Sequence, residues 1–247
     1  MHEEHELWFT ALLNQYFAGP ANSLIELVGQ HAHEHDKPWT NYNAMLVLVV
    51  GFLLVLPWIV RAGLSLSRPG YLQQTFELLV GFIKDQATEV IGHDGPKYAF
   101  WFLTCFTFIL FSNLLGVIPT FESPTMNAAV PLGIAVATFI YYNAMGIQAQ
   151  GIIGHLKHFM GPVWWLAPFM FAIELISHLI RPVSLTIRLF ANMLAGEQVT
   201  VAFMHIIPIG APAILMGLHT FVSFLQAFIF TILTMAYVGM AVAHEDH

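Results

Sequence analysis

The chain has 247 residues, of which 57% are hydrophobic and only 9% charged, whereas soluble domains carry roughly 25% charged residues. The apolar residues fall in long runs, which excludes an ordinary soluble domain and points to lipid. A net charge of −7, with only eight Lys and Arg and no basic stripe, excludes nucleic acid as a partner.

Residues 1–43 read as a polar, acidic, His-rich N-terminal tail, with weak helical periodicity from Leu7 to Val28. Residues 1–36 hold no Lys or Arg, so no cleavable signal peptide is expected and the first apolar run acts as its own insertion signal. That run, the span 44–60, ends in Pro57-Trp58 and Arg61, a Trp position suited to the headgroup region. Over 71–91, Leu72, Phe76, Leu79, Val80, Ile83, Ala87 and Val90 recur at helical spacing with polar residues between them. This predicts an amphipathic helix along the membrane surface.

The next spans are 99–118, which holds the single cysteine Cys105, and 128–147. The connection between them has Glu122 and no Lys or Arg; the loop Gln148–Pro162 holds Lys157, His155 and His158. Two apolar segments follow, 163–205 and 213–243, joined by a turn at 206–212. Each exceeds the ~20 residues of an upright span, so long tilted helices are expected. The alternative splits the first at Pro182 into two short spans. The reading is therefore an all-α integral membrane protein with about five membrane-embedded helices, two of them long and tilted, plus one interfacial amphipathic helix. The basic residues of 61–97 and Lys157 place those loops inside, the N-terminus outside and the C-terminus in the cytoplasm. No internal repeat is evident, which argues against inverted-repeat transporters.

Glu174, Arg188 and Glu197 sit well inside the apolar segment 163–205, with Arg181 at the Pro182 interruption. A charge at the bilayer centre costs roughly 2.5–3.5 kcal/mol on insertion scales, so such residues serve function or pair with one another. Glu174, Ser177, His178, Arg181, Ser184, Arg188 and Asn192 fall on one broad helical face. Arg188 has no acid one turn away: its i−4 and i+4 neighbours are Ser184 and Asn192. Glu174 lies about 21 Å back along an ideal helix and Glu197 about 13 Å on, towards a different face. A carboxylate from another protein is the natural counter-charge. An arginine cannot hand over its proton in a working cycle, so it acts as a fixed positive charge that drives a nearby carboxylic acid to release its own.

In the last segment His219, Ser223, Gln226 and Tyr237 share a face, with Phe230 between them. A neutral histidine both accepts and donates a proton, which suits a relay with a carboxylate such as Glu197. A hydrogen-bonded structural histidine is the alternative. The sequences HEEH at 2–5 and HEDH at 244–247 lack zinc-helix spacing, and no nucleotide-binding glycine loop or nucleophile motif is present. No metal or cofactor is expected. A stand-alone ion-coupled transporter and a membrane redox or metal enzyme remain open at this point.

The run Ser184-Leu-Thr-Ile-Arg188-Leu-Phe-Ala-Asn192-Met-Leu-Ala-Gly-Glu197 closely resembles the signature of subunit a of rotary F-type ATP synthases. Leu225-Gln226-Ala-Phe-Ile-Phe and Asn113-Leu-Leu-Gly-Val-Ile-Pro119 resemble two further segments of that family, and the likeness covers Trp39 to His247. The resemblance implies a stator subunit of the bacterial inner membrane, forming two offset half-channels against a ring of c subunits. Peripheral-stalk b subunits and the F1 sector are its other implied partners. Arg188 matches the essential arginine that faces the ring carboxylate. Glu197 and His219 match the acid and histidine of the outer half-channel, and Asn192 and Gln226 match polar residues near the arginine. Glu174, Ser177 and Ser184 fall where the family lines the inner half-channel. Ala191 stands where many relatives have Gly, and Arg181 where some have Lys.

Overall fold

The computed structural model describes residues 7–27, 38–65, 69–118, 121–160, 167–206 and 210–242. His2, His5, His31, His33, His35, Lys37, Arg68, Pro119, the start of the expected span at 163, the middle of the 206–212 turn and Glu245 lie outside the described residues. Among the described residues the structure is all α, with no strand. Seven helices follow in order: α1 Trp8–Leu27, α2 Asn41–Ala62, α3 Tyr71–Ile91, α4 Ala99–Leu115, α5 Ala129–Met160, α6 Ala167–Ile206 and α7 Ala211–Val242. Short 3-10 turns, Gly95–Tyr98 and Pro124–Met126, precede α4 and α5. Five of these helical stretches are long and apolar enough to cross a membrane: Asn41–Ala62, Gly95–Leu115, Ala129–Gly151, Phe169–Met204 and Ala213–Val242.

The N-terminal segment read as a tail contains a formed helix. Helix α1 docks by polar contacts more than by burial. Asn14 and Trp39 exchange hydrogen bonds, Nδ2 of Asn14 to the Trp39 carbonyl and the Trp39 amide to Asn14 Oδ1, both at 3.1 Å. Thr10 Oγ1 donates to Asn41 Oδ1 at 2.9 Å, and Asn41 Nδ2 donates to Glu122 Oε1 at 3.1 Å. Periodicity in hydrophobicity is weak here because side-chain amides and hydroxyls hold the helix down. Helix α2 starts at Thr40, whose hydroxyl accepts from the Asn43 amide, an N-cap that satisfies one of the free first-turn donors.

Helix α3 buries Gln73, Ile83 and Ala87 on the face turned to the bundle. It stops at Gly92, where φ is +98°, a conformation that favours glycine. Gly95 then lies so close to α3 that any Cβ there would strike the Ala87 carbonyl.

Two helices run further than hydropathy alone indicates. Helix α5 does not end at 147: it continues to Gly151, where φ is +73°, and resumes to Met160. Gln148 and Gln150 lend this stretch the polarity of a loop, but Gln150 Nε2 donates to the Ala241 carbonyl of α7 at 3.3 Å. Helix α6 is one helix of 40 residues with Pro182 inside it, so the split at that proline does not occur. Neighbouring helices can supply bonds that a proline removes from a membrane helix. At 1.5 Å per residue α6 is about 60 Å long, twice the ~30 Å hydrocarbon layer, and fits there only if steeply inclined.

The core lies where α3, α4, α5, α6 and α7 meet. Phe102, Phe106 and Ile109 of α4, Tyr142 of α5, Leu185, Leu189 and Met193 of α6, and Phe230, Met235 and Val238 of α7 are all buried. In α6 the buried residues recur every four positions, so a single stripe faces the bundle. Ile173, Ile176, Ile180, Val183 and Ile187 on the far side are exposed, an apolar face left for lipid or a partner.

Candidate functional site

The core stripe of α6 divides its polar residues into two sets. At 100° per residue, Arg188 lies about 100° to one side of Leu189 and Glu197 about 80° to the other. Glu174, Arg181 and Asn192 fall on the Arg188 flank by the same rotation, and Ser177 and Ser184 lie further round that side. Glu174 and Glu197 are also about 35 Å apart along the helix. One helix thus carries two acidic positions at opposite ends and on opposite flanks of a packed apolar seam.

On the first flank, Arg181 is paired. Its Nη2 lies 3.3 Å from Glu174 Oε1, and its guanidinium sits 5.1 Å from the Tyr237 ring centre and 6.0 Å from that of Tyr142. The same Glu174 oxygen is 3.2 Å from Nδ1 of buried His178. The spacing from Glu174 to Arg181 is two helical turns, which puts both on one side of α6. That pairing was readable in principle from the i, i+7 register; His178 follows from Glu174 at i+4.

Arg188 differs. It is half-buried, and among the described residues it makes no ion pair and no hydrogen bond. One turn on, Asn192 Nδ2 donates to Gln226 Oε1 of α7 at 2.9 Å. Gln226 is buried and Asn192 exposed, so the bond ties the arginine's flank to α7 and leaves the asparagine at the surface. Ser177 and Ser184 are half-buried on α6.

On the second flank, Glu197 and His219 line one cavity of about 220 Å³, together with Gly116, Val117, Ile118, Phe121, Thr200, Val201, Met204 and Met216. They do not bond each other directly. Glu197 Oε2 and His219 Nε2 are buried atoms without a protein hydrogen-bond partner among the described residues. Such groups need a partner, and the cavity, apolar over most of its wall but with Glu197, Thr200 and His219 on it, has room for a water to provide it. Gly196 makes room for the imidazole: a Cβ there would come within 2.8 Å of His219 Nδ1. Four residues along α7 from His219, Ser223 is buried, and its carbonyl accepts from Asn113 Nδ2 at 3.5 Å. Asn113 Oδ1 in turn accepts from Thr125 Oγ1 at 2.7 Å, so the Asn113 segment braces this end of α7. Sequence reasoning passed over Glu122, which lies within electrostatic reach of Glu197 and is held by Asn41.

An all-α bundle with several apolar spans, an arginine without a counter-charge among the described residues at one flank and a cavity lined by a glutamate and a histidine at the other defines a multi-pass membrane protein with ionisable groups inside its spans. Residues 43–239 match the profile of the ATP synthase A chain family. The ATP synthase subunit a of Solibacter usitatus is 54% identical over 234 residues, covering 95% of this chain and all of that protein. That of Koribacter versatilis is 45% identical over 240 residues, covering 97% and 98% of the two chains. That of Bdellovibrio bacteriovorus is 44% identical, covering 70% and 76%. The chain belongs to the ATP synthase A chain family, and is a membrane-embedded component of that complex.

Proposed function

We propose that the chain is the stator proton channel of an F-type ATP synthase, loading and unloading protons on the carboxylates of a rotating c-subunit ring. The observation that carries this is the contrast between the two arginines of α6. Arg181 has Glu174; Arg188 has no counter-charge among the described residues. A fixed charge at membrane depth is costly unless compensated. A carboxylate brought by a neighbouring subunit compensates it. The exposed apolar face beside Arg188 is the surface such a ring would slide along.

The division of α6 supplies the two routes. Protons reach Glu197 and His219 through the 220 Å³ cavity and pass to a ring carboxylate, which becomes neutral and moves into lipid. After nearly a full turn the carboxyl meets the Arg188 guanidinium. The positive charge stabilises the ionised form, and the proton leaves along the flank of Ser184, Ser177 and Glu174. Asn192 and Gln226 hold α6 and α7 together beside the arginine. The seam of Leu185, Leu189 and Met193 keeps the routes from joining, so a proton crosses only by riding the ring.

In this scheme the N-terminus is outside a bacterial inner membrane and the C-terminus cytoplasmic. Peripheral-stalk b subunits hold the chain still, and the F1 sector makes the ATP. The test is Arg188→Ala in the assembled complex. Proton-driven ATP synthesis is expected to vanish while ATP hydrolysis by the released F1 sector persists; normal coupled synthesis would defeat the assignment.

A further inference from the structure

His178 of α6 has no role in the scheme so far, yet it is the most deeply placed member of the Glu174 cluster. His178 is only 8% exposed. Its Nδ1 lies 3.2 Å from Glu174 Oε1, the oxygen that Arg181 also approaches at 3.3 Å. Its ring packs against Tyr142 at 5.6 Å and Phe139 at 6.5 Å between centres. Among the described residues, the charged and titratable groups around it are Glu174 and Arg181 of its own helix, Tyr142 of α5 and, across Arg181, Tyr237 of α7.

We propose that His178 carries the departing proton along the outlet path, accepting it after the ring carboxyl ionises and passing it to water on the inner side. The inference rests on the stator reading above. Among the side-chain types in this cluster, carboxylic acids ordinarily titrate near 4, tyrosine near 10 and arginine above ~12, while histidine titrates near 6.5. Only an imidazole changes charge in the range between about pH 5 and 8, where a proton must be released into cytoplasm. The acid–base group best suited to a transfer has its pKa near the working pH.

The charges agree with this. With neutral His178, Glu174 and Arg181 cancel. With the imidazolium, the cluster gains one positive charge, which the carboxylate at 3.2 Å and the tyrosine face favour and which burial and the Arg181 guanidinium on the same oxygen oppose, so the imidazolium is a transient state that gives its proton up again. The balance is one proton in and one out: the ring carboxyl becomes carboxylate, imidazole becomes imidazolium, and imidazolium returns its proton to water. His178 stands about 15 Å along α6 from Arg188, towards the end of the helix that the orientation places inside, with Ser184 between them. Glu174, with 35% of its side chain exposed, connects the buried imidazole to the surface.

The experiment uses the whole ATP synthase in vesicles with the pH of each side set separately. His178→Gln is compared with wild type, and the ratio of their synthesis rates is plotted against pH on the F1 side. Taking the ratio removes the pH response of F1 itself. The ratio is expected to vary with F1-side pH between about 5 and 8, to fall by about 10²-fold at its lowest, the lower end of what a positioned acid–base group contributes, and to ignore pH on the opposite side. A ratio that is flat in F1-side pH, at any level, assigns His178 a structural role and overturns the proposal. If the Gln variant does not assemble, Glu174→Gln serves instead: removing the carboxylate beside the imidazolium must displace or abolish the F1-side pH response, and an unmoved response overturns the proposal equally. Arg188→Ala runs in parallel. Retained synthesis there sinks the stator reading itself, whereas a flat His178→Gln ratio beside an inactive Arg188→Ala sinks only the role of His178.

Discussion

At Gly196 a single missing methyl group decides where an imidazole sits. A Cβ there would lie 2.8 Å from His219 Nδ1, closer than a Cβ comes to such an atom, and 3.0 Å from Cε1, at the tight edge of contact. The ring cannot yield easily, because His219 is buried between α6 and α7. Overpacking of this kind costs typically 1–3 kcal/mol, which leaves the bundle folded but moves the histidine. Gly196→Ala is thus expected to assemble and to conduct protons poorly, measured as proton uptake by vesicles carrying the complex; wild-type uptake would remove the His219 position from the path. The residue scale was also where the sequence spoke most clearly about Arg188, since an absent acid at i±4 is visible in one line of text. It spoke less clearly about Arg181, because its carboxylate sits two turns away and the aromatic faces that complete its shell come from α5 and α7. The Glu197–His219 relation was legible only as two residues that titrate; that they share a cavity without touching depends on how Gly116, Val117, Ile118 and Phe121, beyond the end of α4, close beside them.

Helix lengths follow from hydropathy when the flanks are plainly polar, and mislead when a polar residue finds its partner in another helix. The end of α5 shows this. Gln150 looks like loop chemistry, yet it bonds α7, and the helix yields only at Gly151. With φ at +73° and ψ at 165°, that position sits in a backbone region almost reserved for glycine, where a side chain costs roughly 1–3 kcal/mol. A Cβ at Gly151 would meet nothing within 4 Å, so the penalty is conformational and not steric. Gly151→Ala should lower the thermal midpoint of the assembled complex by a few degrees, with proton conduction per assembled complex unchanged. An unchanged or raised midpoint would show that the break at 151 is not a required feature of the element. The length of α6 was legible for the opposite reason: its apolar residues continue on both sides of Pro182, so nothing in the pattern stops the helix there.

For the molecule as a whole, the proposed mechanism requires that two polar routes along α6 do not meet. Nothing in the sequence displays this directly, because separation depends on which residues of α6 become the packed seam. Once Leu189 is known to be fully buried, the rotation from it to Arg188 and to Glu197 sends the two sets to opposite flanks. Axial distance of about 35 Å between Glu174 and Glu197 adds to the separation. Water entering one end should therefore wet one set only. The chain offers a clean background for testing this, since its single cysteine, Cys105, is 1% exposed in the core and out of reach of charged reagents. Thr200→Cys would place a thiol on the Glu197 cavity, and Ser177→Cys one on the Glu174 flank. A membrane-impermeant thiol reagent is expected to label the first only from outside the vesicle-equivalent of the cell and the second only from the F1 side. Labelling of both from the same side would mean that one continuous aqueous path runs along α6, and a stator built that way would leak protons without turning a ring.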